Sequence, residues 1–309
     1  MPPKAPSDPD RLLRRLEWTI LRPLDGLLVG DYRSLFQGAG LDFTGLRPYA
    51  YGDDVRTIDW NATARKEETQ VRRYHEDRSL DAWFVVDTSP SLRFGVTGRP
   101  KSDLAFEMVG ALAGMLAQHG NRVGGCVYDG GLPRLFPMAS GRQAVLTLLR
   151  GLGAGEVGGF PGETDLRVPL EAMAGVLRRR SLVFVVSDFQ CSSGWEQVLG
   201  ALAVRHEVVA VRIHDAGESD LPDLGTLWLE DSETGQQITV DTGDPGFRRR
   251  MAVVAAERDA SLTAAFQRSG IDALSVSTTD DLVLALLGFA HRRRHRKFHP
   301  GKFHRGGAS

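Results

Sequence analysis

The sequence predicts an α/β protein in which a doubly wound, mostly parallel sheet carries helices on both faces. The first observation is that, from residue 80 onward, short β-branched apolar runs alternate with longer amphipathic stretches. This alternation is typical of strand–helix repeats that build a parallel sheet. The second is composition: 42% of the 309 residues are hydrophobic and 25% are charged, which indicates a globular chain and excludes fibrous and wholly disordered classes.

Five apolar runs are predicted to be the strands of this sheet, with helices between them. The predicted strands cover residues 82–87, 123–129, 181–188, 207–215 and 271–278. The predicted helices cover residues 103–119, 142–152, 166–179, 195–204, 247–268 and 281–291. Gly120, Gly153 and Gly270 stand where three helices are expected to end, because glycine is favoured just beyond a helix C-terminus.

Two parts of the chain depart from the alternation. Residues 224–242 contain two β-rich runs around a turn-forming segment, which predicts an antiparallel hairpin added to the sheet. Residues 12–28 are predicted to be helical, and residues 41–79, rich in Gly, Asp, Arg and aromatics, predict a compact irregular or β-containing subdomain. We therefore expect an N-terminal unit at 1–80, the sheet domain at 81–290 and a basic tail at 291–309.

The net charge of −1 conceals an asymmetry between that tail and the rest of the chain. Residues 291–309 contain seven Lys or Arg and no acid, whereas residues 1–290 contain 31 basic and 39 acidic residues. We interpret the tail as a solvated extension whose first arginines favour the negative end of the preceding helix. The alternative is an anchor for nucleic acid or an anionic membrane, whose binding would weaken steeply with salt. The tail's histidines lack the spacing of a zinc site.

The sequence also indicates where in the cell the protein is located. No stretch approaches the ~20 consecutive apolar residues that cross a bilayer, and the N-terminus is charged where a secretory signal would be apolar. Cys126 and Cys191 are too few for a disulfide framework and are interpreted as packing residues. These observations predict a cytoplasmic protein with no transmembrane segment.

Oxygen-bearing side chains cluster where predicted strands end. Asp87, Ser89 and Ser91 follow the first strand, Thr164 precedes the helix at 166–179, and Asp188 ends the strand at 181–188. In an open parallel sheet, ligands bind beyond the carboxyl ends of the strands, where the strand order reverses. Hydroxyl and carboxylate oxygens without nitrogen or sulfur suit a hard cation, Mg²⁺ or alternatively Mn²⁺ or Ca²⁺. In the alternative interpretation, the two acids cap loops and the serines satisfy backbone groups.

The D-x-S-x-S pattern, the later threonine and the aspartate at the end of the next buried strand together resemble the metal-ion-dependent adhesion site (MIDAS) of von Willebrand factor A (vWA) domains. The resemblance implies a vWA-like fold. It also implies that Ser89, Ser91 and Thr164 ligate the metal directly, while Asp87 and Asp188 act mostly through water.

The segment at residues 40–74, directly before this pattern, resembles the bacterial and archaeal family known as domain of unknown function 58 (DUF58), and the likeness extends from about residue 26 to 295. The resemblance implies association with a MoxR-type AAA+ ATPase. Within the segment we interpret acids and arginines as an ion-pair network around aromatic residues; the alternative is a binding face. The residues concerned are Tyr49, Tyr51, Asp53, Asp54, Arg56, Asp59, Trp60 and Arg65.

These patterns predict a metal-dependent protein-binding module and not an enzyme. Mg²⁺ would keep an open coordination position that an Asp or Glu of a partner protein fills. The alternative is a metal-dependent hydrolase such as a phosphoesterase, with Asp87 or Asp188 activating metal-bound water. Nucleotide motifs are incomplete: the G-x-G-x-x-G at 153–158 follows a helix instead of a strand, and Pro100 replaces the glycine that a phosphate loop needs before Lys101.

Overall fold

Six strands form the central sheet within the part of the chain that the computed structural model describes. The described residues are 8–27, 43–50, 58–66, 68–74, 80–96, 98–153, 164–218, 222–230 and 237–298. The strands are β1 (Phe43–Pro48), β2 (Gln70–Tyr74), β3 (Asp81–Asp87), β4 (Arg122–Tyr128), β5 (Arg134–Ser140), β6 (Leu182–Ser187), β7 (Glu207–His214), β8 (Thr226–Glu230), β9 (Gln237–Asp241) and β10 (Asp272–Ser277).

Helices precede, connect and follow these strands. They are α1 (Pro9–Leu16), which continues through a π turn at Glu17–Leu21 into α2 (Arg22–Leu27), α3 (Trp60–Lys66), α4 (Lys101–Gln118), α5 (Gly141–Gly153), α6 (Arg167–Val176), α7 (Trp195–Arg205), α8 (Pro245–Arg268) and α9 (Leu282–Phe298). Short 3₁₀ turns lie at Pro90–Arg93 and Ala216–Glu218.

The central sheet has the strand order β10-β7-β6-β3-β4-β5. The first five strands in this order run parallel, whereas β5 pairs antiparallel with β4 at the edge. The sequence pattern did not predict β5. Its half-buried pattern and its Pro137 weaken the strand signal, because proline cannot donate to a ladder and is confined mainly to sheet edges.

Helices cover both faces of the sheet, which confirms the predicted α/β architecture. Side chains alternate between faces along a strand, so Phe84 points into one core and Trp83 and Val85 into the other. The Phe84 core receives α1, α2, α4, α5 and α9. The opposite core receives α6, α7 and the end of α8.

The hairpin at residues 224–242 differs from its prediction in one respect. Strands β8 and β9 pair antiparallel as expected, but they form a separate two-stranded sheet and do not extend the central one. Hydrophobic alternation predicts that two strands pair with each other, and it does not specify which edge, if any, they join.

The N-terminal helical segment packs into the core of the sheet domain. Leu16 and Leu21 lie against α4 at Gly110 and Gly114, where a Cβ would approach the leucine methyls to 2.6 and 3.0 Å. Leu24 is fully buried in the same cluster. The predicted division at residue 80 assigned this helix to the N-terminal unit, whereas the structure makes it a layer of the sheet domain.

The remainder of the N-terminal unit contains the antiparallel pair β1–β2 and the helix α3. The Asp59 carboxylate accepts a hydrogen bond of 3.0 Å from the backbone N–H of Ala62 at the start of α3, and Trp60 is exposed. Tyr51, Asp53, Asp54 and Arg56 of the expected ion-pair network lie outside the described residues.

The final helix, α9, reaches Phe298, so the basic stretch begins inside a helix. Arg293 is only 3% exposed. Its guanidinium donates to Asp272 Oδ2 at 2.8 Å and to the Glu207 carboxylate. Arg293 therefore differs from the expected solvated extension, because it fastens α9 to the neighbouring strands β10 and β7. Among the described helices, none is both long and apolar enough to cross a bilayer.

We predict that Leu24→Ala lowers the free energy of unfolding by about 2–5 kcal/mol, because it removes a fully buried side chain and leaves a cavity. Leu27→Ala, at a position that is 65% exposed, is the matched control and should change it by less than about 0.5 kcal/mol. Urea denaturation followed by circular dichroism measures both. Equal effects would mean that the helix does not belong to the core.

We also predict that Arg293→Ala destabilises the protein by about 3–5 kcal/mol, because Asp272 and Glu207 lose their shared cation. The exposed neighbour Arg292 supplies the control, and Arg292→Ala should change stability by no more than about 0.5 kcal/mol. Thermal unfolding compares the variants, and similar melting temperatures for the two would contradict the role of Arg293.

Candidate metal centre

The strand order reverses direction at β3 and β6. The chain proceeds from β3 to β4 and β5 on one side and later returns to place β6 on the other side of β3. Such a switch point leaves a crevice at the carboxyl ends of the two strands, where open α/β sheets bind ligands. Asp87 is the last residue of β3 and Ser187 the last of β6. The predicted site residues thus flank the position that this topology favours.

The loop after β3 folds back on the Asp87 carboxylate. Asp87 Oδ1 accepts a hydrogen bond of 2.8 Å from the backbone N–H of Ser89, an arrangement that aspartate favours in turns. Pro90 then begins a 3₁₀ turn with Ser89 as its N-cap. As a result the Oγ atoms of Ser89 and Ser91 are 3.0 Å apart.

The second oxygen of Asp87 faces β6. Asp87 Oδ2 accepts a hydrogen bond of 2.7 Å from the Ser187 hydroxyl. Asp87 is 3% exposed, and burial together with the negative charge of Asp188 raises the pKa of Asp87 to about 7, despite the opposing effect of these hydrogen bonds. In the described contacts the donors to this carboxylate, which are the Ser187 hydroxyl and the backbone N–H and hydroxyl of Ser89, are all neutral groups. Asp87 is therefore a buried carboxylate whose ionised form lacks sufficient positive compensation.

Asp188 begins the loop after β6 and lies next to a strained residue. Phe189 has φ of 55°, a left-handed conformation that is uncommon for a bulky residue and costs about 1–3 kcal/mol. Its ring packs against Trp195 and Phe266, each with a centroid separation of 5.1 Å. Packing of this ring holds the turn, and the turn directs the buried Asp188 toward the rim of the sheet.

The sequence pattern did not predict the charged partner of Asp188. Lys101 Nζ donates to Asp188 Oδ2 at 2.7 Å and to Glu218 Oε1 at 2.5 Å. Burial alone would lower the pKa of Lys101, but the charges of Asp188 and Glu218 outweigh it and raise that pKa. A signal was present, since Lys101 opens helix α4, where the positive end of the helix dipole disfavours a cation.

Thr164 lies three residues before α6 and contacts the loop that follows β6. Its side chain is buried, and its carbonyl oxygen accepts a hydrogen bond of 3.1 Å from the backbone N–H of Ser192. The neighbouring Cys191 lies close enough to the acids that burial, and then the charges of Asp87 and Asp188, raise the pKa of its thiol. Thr164 is thereby tied to the loop that begins with Asp188.

The structure thus connects the five predicted residues to different degrees. Hydrogen bonds join Asp87, Ser89 and Ser91 directly. The negative charge of Asp188 contributes to the raised pKa of Asp87, which places the two carboxyl groups near each other. Thr164 is linked to them through the backbone of the loop that follows β6.

The donor set is compatible with a small divalent cation. Ligands on neighbouring corners of a Mg²⁺ octahedron lie about 3 Å apart, because each is about 2.1 Å from the ion. The Ser89–Ser91 oxygen separation of 3.0 Å is close to this spacing. Among the described residues, no group of three or more His, Cys, Asp or Glu is arranged to hold a metal, so a cation here would depend on the hydroxyls. A cation would also supply the positive charge that Asp87 lacks.

Comparisons with known proteins identify sequence relatives and matching solved structures. The uncharacterized proteins Mb1516 of Mycobacterium bovis and Rv1480 of Mycobacterium tuberculosis are each 35% identical over 284 residues, covering 91% of this chain and 89% of the relative. The conserved hypothetical protein BatB from Bacteroides thetaiotaomicron covers 70% of this chain and all of its own, with 12% identity and a TM-score of 0.46. The SpRpn10 VWA domain covers 75% of this chain and all of its own, with 9% identity and a TM-score of 0.37.

A family model provides the assignment. The model described as "Protein of unknown function DUF58" matches residues 45–261, which include the segment before β3, the strand ends that carry Asp87 and Asp188, and most of α8. The match and the extended identity to the mycobacterial proteins confirm the resemblance read from the sequence, and the chain belongs to the DUF58 family.

Proposed function

We propose that this chain is a Mg²⁺-dependent protein-binding module. In this proposal Ser89, Ser91 and Thr164 ligate the ion, and Asp87 and Asp188 hold its water ligands. A bound divalent cation supplies a coordination position that a carboxylate of a partner protein fills. The chain's own residues orient that position and exclude competing donors.

One observation carries the proposal. The buried Asp87 carboxylate at the switch point receives hydrogen bonds only from neutral groups in the contacts that the structure describes, while two serine hydroxyls lie beside it at octahedral spacing. A buried ionised carboxylate is expensive unless positive charge compensates it. A group kept in such a state at a ligand-binding edge indicates a cation-dependent function more than a structural one.

Charge favours an acidic ligand on the partner. Lys101 already pairs with Asp188 and Glu218, and the proposed direct ligands are neutral hydroxyls, so in this proposal no ionised group of the chain contacts the ion directly. A carboxylate from outside completes the neutralisation and forms a charge-assisted contact. Because its direct ligands are mostly neutral, the bound ion serves to bind a partner and not to hold the fold together.

The proposed partner is a MoxR-type AAA+ ATPase, its cargo, or both. This part of the proposal is supported by membership of the DUF58 family and by the association of that family with such ATPases. The chain would act as an adaptor that recruits proteins for remodelling or maturation, and the acidic side chain would come from the ATPase or from the recruited protein.

We predict that Mg²⁺, held at one concentration equal to about ten times its dissociation constant at pH 8, raises the free energy of unfolding by about 1.4 kcal/mol at that pH, and that the gain is smaller at lower pH. The pKa of Asp87 is raised from 3.8 to about 7, so the folded protein retains a proton that the unfolded chain releases. Metal-free stability therefore falls as the pH rises from about 4 to 7, and the cation binds the ionised form.

Melting temperatures between pH 5 and 8, with EDTA or with Mg²⁺, test this expectation. Asp87→Asn should abolish the metal-induced rise, while Ser193→Ala, an exposed serine on the same rim, should retain it. A Mg²⁺ effect that is independent of pH, or equal in Asp87→Asn, would count against Asp87 as part of the centre.

The partner interaction is tested with the purified chain and a purified MoxR-type AAA+ ATPase. We expect the affinity, measured by biolayer interferometry in Mg²⁺, to fall at least tenfold in EDTA and in Asp87→Ala and Ser89→Ala, because the charge-assisted contact is lost. Ser193→Ala is the matched control and should bind like the wild type. Binding that ignores both chelation and the site substitutions would refute the metal-dependent module.

A further inference from the structure

Lys101 is the buried cation at the rim of the sheet that carries the candidate metal centre. It is 1% exposed, although lysine is almost never fully buried unless its charge is paired. Its ammonium bridges Asp188, in the loop after β6, and Glu218, at the end of the 3₁₀ turn after β7. Lys101 therefore connects the ends of two adjacent strands from the start of α4.

Lys101 is also tied to the loop that carries the serines. Its backbone N–H donates to the carbonyl oxygen of Phe94 at 3.0 Å, and the N–H of Phe94 in turn donates to the carbonyl oxygen of Ser91. Two backbone hydrogen bonds thus link Ser91, through Phe94, to the start of α4. They keep the backbone of Lys101 close to the turn that carries the serines.

Both oxygens of Asp188 have partners within the chain. Oδ1 accepts from the backbone N–H of Gln190 at 3.0 Å, and Oδ2 accepts from Lys101 at 2.7 Å. A carboxylate oxygen retains a second acceptor site when one is used, so Asp188 can still face water on an ion. However, its negative charge is already shared with an ammonium at contact distance.

We propose that Lys101 is an internal cation that competes with the divalent ion for Asp188, and so keeps the metal affinity of the site low. This inference rests on the proposed metal-dependent function. The same competition leaves the charge of the bound ion under-compensated, which favours the carboxylate of a partner. Lys101 is a positioning residue. It makes occupation of the metal site by the ion and binding of the partner protein depend on each other.

The alternative role for Lys101 is structural support of the metal site. If the ammonium only held the turn after β3, the loop after β6 and the turn after β7 in place, its removal would loosen Asp188 and weaken metal binding. If the ammonium competes with the ion, its removal strengthens metal binding, because like charges repel across a poorly solvated site. The two roles therefore predict opposite signs for the same measurement.

The experiment measures the dissociation constants of Mg²⁺ by calorimetry and of Mn²⁺ by electron paramagnetic resonance in the full chain. We expect Lys101→Met to bind both ions at least about tenfold more tightly than the wild type. Glu218→Gln should bind them several-fold more weakly, because the ammonium keeps its charge and loses one of its two acids. Arg99→Met removes a cation that pairs with Glu107 instead of the site acids, and should match the wild type within about twofold.

Each outcome bears on the inference. Unchanged or weaker binding by a folded Lys101→Met, while the wild type binds metal, would overturn the role of Lys101 and leave the proposed function intact. Binding by Lys101→Met but not by the wild type would support the competition and refute metal dependence of the native protein. Absence of binding in every variant would refute both. If Lys101→Met does not fold, Glu218→Gln decides, and unchanged or tighter binding by that variant overturns the inference.

Discussion

The burial of two carboxylates at the ends of adjacent parallel strands is the constraint on which the candidate site depends. Because β3 and β6 pair in register, Asp87 leaves the sheet next to Ser187 and close to Asp188, whose negative charge disfavours ionisation of Asp87. Lys101 compensates Asp188, and neutral donors from Ser89 and Ser187 partly compensate Asp87. The remaining electrostatic imbalance at Asp87 is the physical basis of the proposed cation dependence.

The surrounding structure keeps this imbalance in place. The turn at Phe189 stores backbone strain, and the aromatic contacts with Trp195 and Phe266 hold it. Strain of this kind persists only where packing determines it, and it is found preferentially at functional sites. On the opposite side of the sheet, a continuous apolar core receives the helices from both ends of the chain. The rim is therefore supported on both faces and can hold polar groups that would be unfavourable in a less rigid fold.

Family membership and site chemistry answer different questions. Membership of DUF58 is established by the match over residues 45–261, and a family of unknown function assigns no activity. A fold likewise hosts many functions, so activity has to be argued from the side chains at a site. Here the oxygen donors, the raised pKa of Asp87 and the ammonium of Lys101 lead to one consistent proposal: an ion bound weakly by the chain and completed by an acidic partner.

The sequence by itself determined the central architecture and the positions of the oxygen donors. Hydrophobic periodicity is a local property, so it located the five parallel strands, and strand ends in such a sheet indicated Asp87, Ser89, Ser91 and Asp188 as neighbours. It could not identify the edge strand β5, whose Pro137 and half-buried pattern weaken the local signal.

Only the tertiary structure decided which distant groups share the interior. It moved the N-terminal helix into the sheet domain, made the hairpin at 226–241 a sheet of its own, and buried Arg293 between two acids. It also brought Lys101 to Asp188, 87 positions away. Pairings of this kind depend on which surfaces meet after the chain folds. A lysine at a helix start indicates that its charge needs a partner, but it does not identify an acid so far along the chain.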